Sequence, residues 1–98
     1  MADVYRYRFA ESVEMLEVEA SLLLSIWATE ALHGESQTRL DAGHAFDAEQ
    51  RKLVIDAGTE VGKDLNRILT GFLQREFEPE EFTVERIARQ PEPVESQL

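Results

Sequence analysis

The order in which two kinds of hydrophobic periodicity follow one another is the feature that most constrains the fold of this chain. Apolar residues that alternate with polar ones indicate a strand with one buried face, whereas apolar residues that recur every three or four positions indicate a helix. These patterns predict strands at 4–9, 37–47, 52–57 and 82–87, and helices at 14–33 and 60–77. The predicted order is therefore strand, helix, strand, strand, helix, strand.

Each predicted helix carries an apolar stripe that we expect to face the core. The stripe of the first helix is formed by Leu16, Ala20, Leu23, Leu24, Trp27 and Ala31, with Leu22 and Ile26 widening it. The stripe of the second helix is formed by Val61, Leu65, Ile68, Leu69, Phe72 and Leu73. Ser12 and Thr59 are the candidate N-caps, and Gly34 is placed to end the first helix.

Two strand-helix-strand units that share one sheet predict an α+β fold of the ferredoxin-like βαββαβ type. We expect a four-stranded antiparallel sheet of order 4-1-3-2, with both helices on one face. Residues 1–87 form the single predicted domain, because a chain of 98 residues suits one core. Residues 88–98 contain two of the three prolines and no periodicity, so they are expected to be a flexible acidic tail.

The face of the sheet that points away from the helices, the outer sheet face, is the first candidate site. A parallel central strand pair places Arg6 near Val54 and Arg8 near Asp56, and the last strand brings Glu85 beside Arg6. Small residues around charges of both signs make a flat face that can pack on its own two-fold copy. The alternative is a solvated face with cross-strand ion pairs that contribute little stability.

Composition excludes several classes of function. The net charge of −10 opposes binding to nucleic acid and to anionic membrane surfaces. The absence of cysteine excludes disulfides, thiolate metal sites and cysteine nucleophiles. No apolar run approaches the roughly 18 residues that a membrane span requires, and the first residues lack a signal-peptide pattern, so the expected compartment is the cytoplasm.

The stretch 53–69, LVIDAGTEVGKDLNRIL, resembles a phosphate-binding loop only superficially. A Walker A loop needs four residues between its glycines and a hydroxyl after its lysine. Here three residues separate Gly58 from Gly62, and Asp64 follows Lys63. The stretch is better interpreted as a strand end, a turn and a capped helix, in which Asp56 reaches Arg8 and Gly62 permits close helix packing.

A pocket between sheet and helices is the second candidate site, and Tyr7, Trp27 and His44 are its candidate lining residues. His44 falls on the apolar face of its strand, where a hydrogen-bonded core histidine is the simpler interpretation. No catalytic constellation, metal-ligand spacing or cofactor motif occurs in the chain.

These observations predict a non-enzymatic interaction module, a small acidic protein that forms a homodimer or binds a protein partner through Arg6, Arg8, Val54, Asp56 and Glu85 of the outer sheet face. The alternative is a dimeric protein that binds a small molecule, for regulation or catalysis, in the pocket of Tyr7, Trp27 and His44. A third hypothesis is an adaptor whose acidic tail binds a basic partner.

Overall fold

Four strands and three α-helices follow one another in the computed structural model of the chain, which describes residues 3–88. In chain order they are β1 (Asp3–Phe9), α1 (Met15–His33), α2 (Glu35–Asp41), β2 (His44–Asp47), β3 (Lys52–Asp56), α3 (Glu60–Glu76) and β4 (Phe82–Ala88), with a 3-10 turn at Pro79–Glu81. The predicted α+β class is confirmed. The predicted tail lies outside the described residues, except that β4 extends through Ala88.

The sheet is antiparallel throughout and has the order β2-β3-β1-β4, which is the predicted order read from the other edge. The predicted parallel pairing of β1 with β3 is wrong. A helical crossover leaves β2 parallel to β1, and the hairpin then reverses β3. Arg6 still lies opposite Val54, but Arg8 lies opposite Lys52, and Asp56 lies opposite Val4.

The predicted strand 37–47 is helical over its first five residues. Only His44–Asp47 form a strand, whereas Glu35–Asp41 form α2 directly after Gly34, whose φ of +89° breaks the helical path. Side chains four residues apart stabilise α2: Arg39 donates to Glu35 at 2.7 Å, and Gln37 donates to Asp41. Leu40, expected on the apolar strand face, is 79% exposed.

Arg51 ties the loop of the β2–β3 hairpin to the segment that follows β1 at the same end of the sheet. This residue ends the four-residue loop in the left-handed region, at a φ of +57°. Its guanidinium donates to the carbonyl oxygen of Ala10, at 3.0 Å from Nε and 2.6 Å from Nη2, and also to that of Val13. The segment between β1 and α1 is thereby held beside the hairpin loop.

The helix α3 matches its prediction closely. The Thr59 hydroxyl accepts a hydrogen bond from the Gly62 amide at 2.9 Å, which caps the helix as expected. Its buried side chains include Leu65, Leu69 and Leu73, which pack with Tyr7, Phe9, Leu53 and Ile55 of the sheet in one core. Each such burial contributes about 1.5–3 kcal/mol to folding.

The helix α1 is turned by about half a revolution from its prediction. Its buried residues are Met15, Val18, Ser21, Leu22, Ser25 and Thr29. Of the stripe that was expected to face the core, Leu22 and Ile26 do contact it, whereas the other six residues face outward. The helix begins at Met15 without the predicted Ser12 cap. The three hydroxyl residues are small enough to let α1 approach α3, its main helical neighbour.

Buried hydroxyls are tolerated in α1 because the helix itself satisfies them. The Ser25 hydroxyl donates to the carbonyl oxygen of Ser21, and the Thr29 hydroxyl donates to that of Ser25, both at 2.7 Å. Desolvating them therefore leaves neither of these two donors without an acceptor. The prediction chose the wrong face of α1 because it treated serine and threonine as surface residues.

Two glycines of α3 should respond in opposite ways to alanine. A β-carbon on Gly62 would lie 2.2 Å from the carbonyl oxygen of Asp56, whereas one on Gly71 would meet nothing within 4 Å. We expect Gly62→Ala to lower the free energy of unfolding by about 2–4 kcal/mol, because backbone must move. We expect Gly71→Ala to raise it by about 0.5–1 kcal/mol through helix propensity. Urea denaturation of both variants measures the difference, and equal effects would contradict the close approach at Gly62.

Candidate functional site

The outward side of α1 carries the largest concentration of exposed apolar side chains in the described residues. We call this surface the α1 apolar face, formed by Leu16, Ala20, Leu23, Leu24, Trp27 and Ala31. Its four large side chains are between 46% and 71% exposed. Their spacing places them on one stripe opposite the buried Ser21, Ser25 and Thr29. Single exposed leucines are ordinary, but a continuous stripe that includes tryptophan indicates a contact surface.

The α1 apolar face continues into a groove between α1 and α3. The groove has a volume of about 300 Å³, and its lining includes Ala20 and Leu24 on one side and Phe72 and Arg75 on the other. It offers a partner side chain an apolar floor that is bordered by one cation, Arg75, and two carboxylates, Glu17 and Glu76. The border of the face is acidic, because Glu17, Glu19 and Glu30 flank it.

The outer sheet face brings together part of the predicted cluster. Arg6 lies between Val54 on β3 and Glu85 on β4, and its Nη2 donates to Glu85 Oε1 at 2.7 Å. This hydrogen bond and the charge of Arg6 lower the pKa of the exposed Glu85 carboxyl. The predicted proximity of Arg8 to Asp56 is wrong, because they lie in rows on opposite sides of Arg6, about 13 Å apart along the strands.

The three predicted pocket residues are not brought together. Tyr7 is fully buried in the core, Trp27 is on the outward side of α1, and His44 is exposed on the edge strand β2. The expectation of a core histidine at position 44 is therefore wrong, since the edge strand leaves its ring open to solvent. The other histidine, His33, has its Nε2 2.7 Å from Asp64 Oδ2 and so links α1 to α3.

Tyr7 instead belongs to a polar network on α3. Its hydroxyl donates to Asn66 Oδ1 at 2.6 Å and lies 2.7 Å from the Thr70 hydroxyl, which donates to the carbonyl oxygen of Asn66. Asn66 and Thr70 also line an open cleft of about 490 Å³ between α3 and the β1–β4 edge, together with Tyr5, Arg67, Gly71, Gln74 and Val84. Sequence periodicity missed this cleft because it marked Asn66 and Thr70 only as polar positions.

The described residues show neither a metal centre nor a membrane span. Within 3–88, no three histidine or carboxylate side chains are grouped to hold a metal ion. No helix in the same range is both long enough and apolar enough to cross a bilayer. The chain was also compared with protein-family profiles, curated proteins and solved structures, and nothing matched it.

Burial raises the pKa of Tyr7 to about 12, so the buried hydroxyl should make stability fall at alkaline pH. The folded state holds this proton after an unfolded tyrosine has lost it, so the stabilisation is complete below pH of about 10 and is lost as pH rises to about 12. We expect the free energy of unfolding to drop by roughly 2–3 kcal/mol across that window. Urea titrations at several pH values measure it.

Two phenylalanine variants provide the controls. Tyr7→Phe should cost about 1–2 kcal/mol at neutral pH, because Asn66 loses its donor. It should also remove most of the alkaline drop, because phenylalanine has no proton to lose. Tyr5→Phe leaves the network intact and should keep the drop. An unchanged alkaline profile in Tyr7→Phe would show that another group causes it.

Proposed function

We propose that this protein is a non-enzymatic interaction module that binds a protein partner through the α1 apolar face. The observation that carries the proposal is the exposure of Leu16, Leu23, Leu24 and Trp27 on one side of a single helix. The buried centre of a protein interface is more apolar than the rest of the surface, and tryptophan is enriched there. Nothing in the geometry of the described residues assembles a nucleophile, a base and a stabilising group around a common point.

A protein partner fits this surface better than a lipid surface does. The carboxylates of Glu17, Glu19 and Glu30 border the apolar stripe, and the whole chain carries a net charge of −10. Interfacial helices that bind anionic lipids carry lysine and arginine at those border positions. A helix packed against α1, by contrast, needs only an apolar stripe of its own.

The outer sheet face remains a weaker candidate interface. Arg6 already pairs with Glu85 across β1 and β4 through its Nη2, and a partner would have to compete with that pair. The α1 apolar face also has a groove beside Phe72 into which a partner side chain could insert.

The βαββαβ order supports the ferredoxin-like assignment, with α2 as an addition. The cytoplasmic location stays a prediction.

Photo-crosslinking in the source cells tests the proposed face. A photoreactive benzoylphenylalanine at position 24 should yield an adduct of discrete mass, because a partner covers this side of α1. The same group at position 40, where Leu40 is also exposed but lies on α2, is the matched control and should yield none. Adding Leu16→Glu should abolish the adduct at position 24, since it places a charge in the interface.

Equal labelling at both positions, or none at either, would refute the proposed face. Circular dichroism and the melting temperature of each variant should match those of the wild type, because all substituted side chains are exposed.

A second candidate function is favoured by the cleft beside Tyr5. Its volume of about 490 Å³ is within the range of small-molecule sites, and Arg67 and Asn66 offer hydrogen-bond donors at its wall. The cations Lys63 and Arg67 and one carboxylate, Asp3, line an adjoining recess. Because cations outnumber carboxylates there, an anionic ligand is the best match.

Gly71 offers a way to close this cleft without disturbing the fold, because a β-carbon there meets nothing within 4 Å. If small carboxylates or phosphates bind, they should raise the melting temperature of the wild type and leave Gly71→Leu unchanged. A panel that shifts neither protein, or shifts both equally, would eliminate the cleft as a ligand site.

A further inference from the structure

We infer that the partner of the α1 apolar face is a second copy of this chain, with the two α1 helices packed antiparallel about a two-fold axis that passes between Leu23 and Leu24. The inference rests on the proposed function and adds the identity and geometry of the partner. It comes from the order of large and small residues along the face: when a second copy runs in the opposite direction, large residues of one helix meet small residues of the other.

Placing an antiparallel copy about an axis between Leu23 and Leu24 shows which residues meet. In an antiparallel pair, residues equidistant from the axis lie at the same height on the two helices. Trp27 then lies opposite Ala20 of the other copy, and Leu16 lies opposite Ala31. A bulky side chain meets an alanine at all four of these outer contacts, and Leu23 and Leu24 pack against their own copies at the centre. Large against small is the arrangement that fills space between close helices.

A parallel pair lacks this complementarity. Each residue of a parallel two-fold pair meets its own copy, so Trp27 would meet Trp27 while Ala20 faced Ala20. The tryptophans would hold the helices apart, and a void would remain at the alanines. The spacing of the four positions therefore favours the antiparallel arrangement.

The accessible area of the face is sufficient for a reversible dimer. From the exposed fractions of its large side chains, one copy would bury roughly 500 Å², or roughly 1,000 Å² for the pair. That total is close to the lower limit for a specific interface, so we expect a dimer with a Kd of the order of micromolar. Residues 89–98 are a poorer occupant, because Val94 and Leu98 are their only large apolar side chains.

The charges at the border of the face set the sign of the salt dependence. No lysine or arginine occurs between Arg8 and Arg39, and the antiparallel pair brings Glu30 of one copy near Glu19 of the other. This repulsion is screened by salt, so self-association should strengthen as ionic strength rises. Binding to a basic helix of a different protein would weaken under the same change.

Sedimentation equilibrium tests the inference on the purified chain. Between about 1 and 200 µM, the wild type should change from monomer to dimer, and its Kd should fall about two- to tenfold between about 0.05 and 0.5 M NaCl. Leu23→Glu should raise the Kd more than about tenfold, whereas Leu40→Glu, the matched exposed control, should leave it unchanged. Emission of Trp27, the only tryptophan, should move to shorter wavelength as the dimer forms.

Disulfide trapping tests the antiparallel geometry, which the absence of native cysteine makes simple. Under copper-phenanthroline oxidation, Leu23→Cys should form a covalent dimer, since position 23 lies beside the axis. Ala20→Cys should not, because two copies of position 20 would be about 10 Å apart along the helices, beyond disulfide reach. Crosslinking of both variants would indicate a parallel pair, and crosslinking of neither would exclude α1 pairing.

The results can overturn the dimer without overturning the proposed interaction face. A wild type that stays monomeric at both salt concentrations, or a dimer that survives Leu23→Glu, would overturn the self-association. An adduct at position 24 with a mass other than twice that of the chain would then leave the interaction face standing with a different partner. A dimer that Leu23→Glu disrupts, with the expected trapping pattern, supports both.

Discussion

The packing of three small hydroxyl residues of α1 toward the core decides which surface this protein presents. Ser21, Ser25 and Thr29 form one stripe of α1, and the helix backbone accepts the hydrogen bonds of the last two. Because these side chains are short, α1 can lie close to α3, and the hydroxyls of Ser25 and Thr29 keep hydrogen-bond acceptors when they are buried. The consequence is that the leucines and the tryptophan on the opposite side of the same helix point away from the core.

A second polar contact between buried elements fixes α3 on the sheet. Tyr7 extends from the centre of β1 to Asn66 and Thr70, and the first turn of α3 lies against the end of β3, where only a glycine fits at position 62. These contacts hold α3 at both its start and its middle. Since α1 packs mainly on α3, the direction of the α1 apolar face follows from the same contacts.

The proposed function combines two opposing properties of the chain. Its net charge of −10 keeps copies apart, while an uncharged apolar stripe on α1 attracts a partner with a similar stripe. A modest apolar area under general repulsion gives reversible association that responds to ionic strength and concentration. The large and small residues of the stripe specify one arrangement among those that hydrophobic attraction alone would allow.

The sequence by itself determined the α+β class, the order of the strands, the position and cap of α3, and the pairing of Arg6 with Glu85. The class and α3 depend on local periodicity and capping chemistry, and the strand order and the Arg6–Glu85 pair follow when the crossover rules are applied to those local elements. Local periodicity also identified Leu16, Leu23, Leu24 and Trp27 as one stripe, although it did not indicate whether that stripe faces the core or the outside.

Only the tertiary structure decided which side of α1 is buried, that Glu35–Asp41 form a helix, and that Asp56 and Arg8 lie apart. The physical reason is that α1 is apolar around most of its circumference, so periodicity offers two faces. The choice between them depends on the shape and polarity of α3, which is distant in sequence. Likewise, the cleft beside Tyr5 is lined by residues of separate elements, and the hydrogen bonds of Arg51 connect two separate segments. Both form only after the sheet and helices have packed.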